Sequence, residues 1–142
     1  MRVKFTEKLL SENLYNKHKS TAVSIGALGE EAAVKALKKN GYRIITRNYR
    51  SKMGEIDIIA MDGEYTCFVE VRLRKSNAYG SPADTIDERK RRRIINTAKL
   101  YAVSKGIYDT PMRFDVVAIN ADLHSGKRQN TSVQIIKDAF RL

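Results

Sequence analysis

The stretch that most constrains this chain is "EIDIIAMDGEYTCFVEV", residues 55–71, in which two strand-like runs flank an Asp-Gly pair. Asp-Gly between alternating runs is a strong hairpin signal, and a two-residue turn at Asp62-Gly63 fixes the register. That register predicts Ala60 opposite Tyr65, Ile58 opposite Cys67 and Ile56 opposite Val69, an apolar face for the core. Side chains alternate along a strand, so the other face holds Glu55, Asp57, Ile59, Thr66, Phe68, Glu70 and Arg72. Asp57 then stands opposite Phe68 and diagonal to Glu70, at roughly the 7–8 Å that lets two carboxylates converge on one cation. An antiparallel hairpin often leaves its second face in water. Ile59 and Phe68 predict half-cover instead, and a carboxylate drawn out of water needs a cation or several hydrogen bonds. Arg72 can serve one carboxylate; a divalent metal can serve several.

These acids matter because the chain around them is basic. It has 27 Lys and Arg against 16 Asp and Glu, a formal net charge of +11. Such an excess predicts a polyanionic partner, nucleic acid being the usual one. A length of 142 residues suits one domain, with residues 1–20 as a helical or frayed extension and 21–142 as the folded unit. The single cysteine, Cys67, excludes an internal disulfide, and two distant histidines, His18 and His124, leave no histidine or thiolate metal site. A metal here would take oxygen ligands, which favours Mg²⁺ or Mn²⁺. No apolar run approaches a membrane span and the N-terminus lacks a signal-peptide pattern, so the expected location is the cytoplasm, with no membrane partner.

Around the hairpin, the pattern predicts a helix after "ST" at 20–21 that runs through "GALGEEAAVKALKKNG" and closes at Gly41. "YRIITRNYR" reads as a strand and "RKSNAYGSPAD" as a loop. Thr85 with Glu88 forms a capping-box pattern for a second helix ending at Gly106. "RFDVVAI" reads as a buried strand and "SVQII" as an edge strand. On the first helix Glu30 falls on the apolar stripe with Val34 and Leu37, where Glu is uncommon unless paired. It reads either as a carboxylate near first-turn amides or as a third acid leaning over the sheet.

A helical "GE" at 29–30, then "GEIDIIA" and "FVEVR" followed by basic residues, resembles the YraN family of predicted endonucleases. That family is similar in turn to the archaeal Holliday junction resolvases and the PD-(D/E)xK, or restriction-endonuclease-like, nucleases. The likeness spans about Gly26 to Ile119, including "GYRIITRN" and "RFDVVAI". It implies an α/β fold, a restriction-endonuclease-like αβββαβ core with a mixed central sheet flanked by helices, in agreement with the pattern above. It also implies a metal-dependent DNA endonuclease, with branched or junction DNA as one substrate class. By resemblance Asp57 takes the place of the motif's Asp, Glu70 that of its second acid, Arg72 that of its Lys, and Glu30 that of the resolvases' first-helix acid. Asp57, Glu70, the Val71 carbonyl and Glu30 would hold Mg²⁺ or Mn²⁺. Arg74 and Lys75, with Tyr79, would touch DNA from the loop after the site; Lys90, Arg92 and Arg93 would do so from the second helix.

Two departures qualify the likeness: "GEID" replaces "PD", and Arg72 stands where the general motif has Lys. With a pKa above about 12, Arg cannot serve as a base, which leaves it an electrostatic role. Glu55 reads equally as a spare ligand and as an ion-pair partner for an Arg. Tyr101 and Cys67 read as packing residues. Two other functions fit the same composition: a basic nucleic-acid binding module without turnover, and a small basic scaffold for a protein or ribosomal partner. A homodimer stays open, since resolvase-like enzymes need paired sites to cut two strands.

Overall fold

The computed structural model describes residues 22–75, 80–121 and 132–141; the extension expected over 1–20, His18, Tyr79 and His124 lie outside the described residues. Helix α1 (Ala22–Lys39) buries Ala33, Ala36 and Leu37 completely. It ends where Gly41 takes φ +87°, which lets the Tyr42 amide turn back and donate to the Leu37 carbonyl at 3.0 Å. Strands β1 (Arg43–Ser51), β2 (Gly54–Asp62) and β3 (Tyr65–Lys75) follow as an antiparallel meander. A short 3-10 turn (Pro82–Thr85) leads into α2 (Glu88–Lys105), and β4 (Met112–Ala121) and β5 (Ser132–Phe140) complete the chain. The sheet order is β1-β2-β3-β4-β5, antiparallel except for the β3–β4 pair, which α2 connects as a crossover. This is the mixed-sheet α/β architecture that the sequence predicts, with "SVQII" inside the edge strand β5.

The sheet is covered on both faces. Ile58, Ala60, Cys67, Val69, Val117, Ile119 and Val133 pack under α1. Ile56, Ile59, Phe68, Phe114, Val116 and Phe140 pack under α2, where Tyr101 meets Phe68 edge-on at 5.8 Å between centroids. Ile59 and Phe68 are fully buried, each worth about 1.5–3 kcal/mol over exposure. The hairpin's second face is therefore more enclosed than the half-cover expected from its sequence.

Three local expectations are corrected. The hairpin turn is Gly63-Glu64, with Asp62 opposite Tyr65, Ala60 opposite Cys67 and Ile58 opposite Val69. Gly63 takes φ +58° at the first central position, the Gly-X turn signature, whereas a type I′ turn over Asp62-Gly63 would need a positive φ at Asp62 as well. The slip is two residues, so most faces survive it, but Ile56 packs with the α2 layer while Ile58 packs with the α1 layer. The alternation breaks at Asp57, across from Asn48 in β1, which holds a left-handed φ of 52°. Next, α2 is capped by Asp87, whose carboxylate accepts from the Lys90 amide at 2.8 Å; Thr85 is still in the 3-10 turn, donating to the Pro82 carbonyl. Finally, Arg74 and Lys75 belong to β3, paired with Asn120 and Ala121, rather than to the loop.

Candidate active site

Glu70 follows Val69 on the central strand β3, and Asp57 precedes Ile58 on β2, so the register that ends at Ile58–Val69 aims the two acids at each other. There the strands part. The Val71 amide donates to Asp57 Oδ2 at 2.8 Å, a side chain taking the place of a main-chain acceptor. The N–H and C=O of a strand residue share one edge, so the Val71 carbonyl faces the same gap.

The two acids have different surroundings. Glu70 is buried, with 6% of its side chain exposed, and Lys90 Nζ lies 2.6 Å from its Oε1. Arg72 Nη1 stands 3.9 Å from the same oxygen, while its Nε and Nη2 donate to Thr85 Oγ1 and the Thr85 carbonyl at 3.2 and 3.3 Å. Thr85 thus fixes the guanidinium beside Glu70. Asp57 has the Val71 amide but no cation in contact among the described residues. Burial, and next the charge of Glu70, push its carboxyl up to about 7, against smaller opposing effects of the Val71 amide and Lys90. Both cations of the site contact Glu70 and neither contacts Asp57.

On the α1 side, Asp57 opens into a cavity of about 330 Å³ lined by Gly26, Ala27, Gly29, Glu30, Val71 and Leu73. Glu30 lies two turns into α1, too far along for the first-turn amides. Its Oε1 accepts from Asn48 Nδ2 at 2.9 Å and from Arg47 Nε at 3.5 Å. It shares the cavity with Asp57 without joining the close pair, and among the described residues no three His, Cys, Asp or Glu side chains stand together as a ready metal cluster. Mg²⁺ does not require such a cage, since it commonly binds through one or two carboxylates, retained waters and substrate phosphates. Asp57, Glu70 and the Val71 carbonyl fit that donor set, and Glu30 lines the same cavity as Asp57.

The other expected site residues separate. Glu55 is exposed and lies 3.5 Å from Arg50, the ion-pair reading. Arg92 pairs with Glu88 at 2.8 Å, and Arg74 donates to the Gly80 carbonyl at 3.2 Å. Lys90, expected to touch DNA, contacts the Glu70 carboxylate. Arg93 is exposed and lines a groove with Arg50 and Arg89. Cys67 and Tyr101 are packing residues; burial pushes the Cys67 thiol up to about 12. Asn48 escaped the sequence reading, and Thr85 was read only as a helix cap. Asn tolerates the left-handed region, so Asn48 carried a faint signal; nothing in the sequence pointed Thr85 at Arg72.

On the neighbouring strand β4, Asp115 is paired with Val69 and completely buried. Arg113 donates to both its oxygens at 2.8 Å, Tyr42 Oη donates at 2.8 Å and the Asp138 amide at 2.9 Å. Burial and the Asp115 charge drive the Tyr42 phenol well above its ordinary range.

Comparison with known proteins matches residues 29–119 to the family described as uncharacterised protein family UPF0102. A UPF0102 protein of Clostridium perfringens is 43% identical over 128 residues, covering 90% of this chain and 98% of the relative. One from Moorella thermoacetica is 44% identical over 115 residues, 81% of this chain and 93% of the relative. One from Clostridium botulinum is 44% identical over 119 residues, 83% and 94% respectively.

Proposed function

This chain belongs to the family UPF0102, the YraN family, and from that premise and the acid pair at the strand gap we propose that it is a metal-dependent DNA endonuclease. The observation that carries the reading is Asp57 set against Glu70 where β2 and β3 part, with the Val71 amide as its donor and no cation in contact with it among the described residues. Asp57, Glu70 and the Val71 carbonyl would hold Mg²⁺ or Mn²⁺, with Glu30 joining through water. When bound, such an ion supplies Lewis-acid activation of water and stabilises charge on phosphate oxygens.

The chain's own residues do the rest. Thr85 holds Arg72 so that a permanent positive charge stands beside Glu70, where a scissile phosphate gathers negative charge in the transition state. Arg72 cannot release a proton near neutral pH, so it stabilises charge and does not act as a base. The Lys90 ammonium neutralises Glu70 and keeps its oxygen oriented. The likeness to junction resolvases makes branched DNA the first substrate to try.

One observation favours a second reading. Glu70 already has Lys90 and Arg72 as partners, as it would in a nucleic-acid binding module without turnover. Calorimetric titration with Mn²⁺ and Mg²⁺ separates the two. A nuclease binds the ion, and Glu70→Gln abolishes binding; absence of heat in the wild type at millimolar ion and in the presence of DNA overturns the nuclease reading.

Arg72 gives a further expected outcome. Arg72→Ala lowers kcat by roughly 10²-fold or more with little change in DNA affinity, the scale of one preorganised transition-state contact. Arg72→Lys retains most activity, and its pH–rate profile keeps the wild-type rising limb. Wild-type rates from Arg72→Ala would reduce Arg72 to a structural partner of Glu70.

A further inference from the structure

The basic run Arg89–Arg93 divides by partner. Lys90 is on Glu70, Arg91 donates to the Ile86 and Ala83 carbonyls at 2.8 and 2.9 Å, and Arg92 is on Glu88. Arg89 and Arg93 are exposed, and their guanidinium groups engage no hydrogen-bond or ion-pair partner among the described residues. Four residues apart, they share a helix face. That face fronts Arg50 at the end of β1 across a groove of about 600 Å³.

The groove is built by close packing. Gly54 starts β2 with φ +148°, and a Cβ there would stand 3.1 Å from Thr97 Oγ1 and 3.5 Å from Arg93 Cβ. The β1–β2 turn therefore sits hard on α2 and holds Arg50 facing Arg93. Arg50, Arg89, Lys90 and Arg93 line the groove against only Glu55 and Asp87, and Asp87 is already committed as the α2 cap. Lys90 belongs both to this wall and to Glu70, so the groove leads into the acid pair.

Its chemistry selects a ligand. Guanidinium forks suit phosphate oxygens, and the lining has no aromatic ring on which a base could stack. A volume of this order suits a small ligand or a nucleotide or two rather than a duplex. We infer that the groove between the β1–β2 turn and α2 binds the phosphate backbone of a single-stranded DNA segment and leads it to Asp57 and Glu70. The preferred substrate class is then DNA with a free strand at the cleavage point, such as a flap or an opened branch. This rests on the endonuclease reading for the direction of the strand, but not for the binding itself.

The test is fluorescence anisotropy with labelled single-stranded and blunt duplex oligonucleotides of mixed sequence across a salt series, with Ca²⁺ in place of Mn²⁺ to prevent cutting. The double variant Arg89→Ala, Arg93→Ala is expected to bind single strands at least about 10-fold more weakly. Its log K against log salt slope should be shallower by about 1.4, two phosphates at about 0.7 each. Duplex affinity should fall far less. Glu55→Gln, which releases Arg50, should tighten single-strand binding severalfold. Unchanged single-strand affinity and slope in the double variant, or equal losses for both DNA forms, overturn the groove. Cleavage assays separate the two readings: loss of single-strand binding in a protein that cuts nothing leaves the groove standing without the nuclease, and unaltered binding in a protein that cuts DNA removes the groove alone.

Discussion

Asp57→Asn is expected to abolish the proposed Mn²⁺-dependent cleavage and at the same time to stabilise the metal-free protein at pH 8 by about 1–3 kcal/mol. The two effects have one cause. Asp57 is charged at pH 8 in a half-buried position facing Glu70, and its carboxyl is pushed up to about 7 from the ordinary 3.8. Between those values the native state binds the proton and the unfolded chain does not, so stability falls as pH rises from about 4 to about 7. Asparagine removes the charge while its amide oxygen can still accept from the Val71 amide. Full conversion of such a shift would exceed the stated range, but coupling to Glu70 and Lys90 reduces what one substitution returns. Denaturant titrations of both proteins at pH 4 and pH 8, without divalent ions, provide the check. The gain should be present at pH 8 and nearly absent at pH 4. An Asn variant that is less stable than wild type at both values would show that the acid is at ease in its site, and cleavage at wild-type rates would end its role in a metal centre. DNA affinity should hold or improve, since a negative charge leaves a phosphate-binding surface.

Arg113→Met is expected to cost about 3–5 kcal/mol, the largest single loss of stability we anticipate, because it leaves Asp115 charged and buried without its cation. The same Arg113 also holds Asp62 through Nη2 at 2.7 Å, so one side chain ties β4 to the hairpin end. At about 2–4 °C per kcal/mol for a chain of this size, the melting temperature should drop by roughly 10 °C. Asp115→Asn alone should cost less, since no buried charge is stranded. A drop below about 2 °C for Arg113→Met would mean that water reaches Asp115 freely. Metal binding at Asp57 and Glu70 should persist in the folded fraction, since Arg113 contacts neither acid and holds Asp62 and Asp115 instead.

The architecture was legible because its signals were redundant. Gly41 and Gly106 end the helices where expected, and "VVAI" in β4 announces a central strand with both faces covered. That same run implied that the hairpin's second face would be covered too, an inference that alternation within the hairpin alone could not supply. The turn was misplaced because Gly63 can serve as either residue of a two-residue turn. The acid faces survived because a slip of two positions preserves strand parity. Asp57 and Glu70 were legible as a pair, but the break at Asp57 was not, since it depends on the backbone of Asn48 in a neighbouring strand. The contact of Lys90 with Glu70 was not legible, because no local pattern places a helix residue against an acid twenty positions earlier. Asp115 was hidden for a related reason: its partners Tyr42, Arg113 and Asp138 come from three parts of the chain.

Both outer strands of the sheet are interrupted. The β1–β2 register shifts between Ile44 and Thr46 and β1 carries the positive φ of Asn48; the β4–β5 register shifts between Phe114 and Val116 and β5 carries that of Asp138, at 54°. An edge broken in this way is a poor template for another strand, and Arg43, Arg47 and Arg50 add like charges along β1 that two copies would have to bring together. Edge-to-edge growth, the usual route from an open sheet to fibrils or to a continuous sheet across two subunits, is therefore disfavoured at both ends. Contact between two copies would then favour helix or loop surfaces, leaving the sheet of the described residues five strands wide.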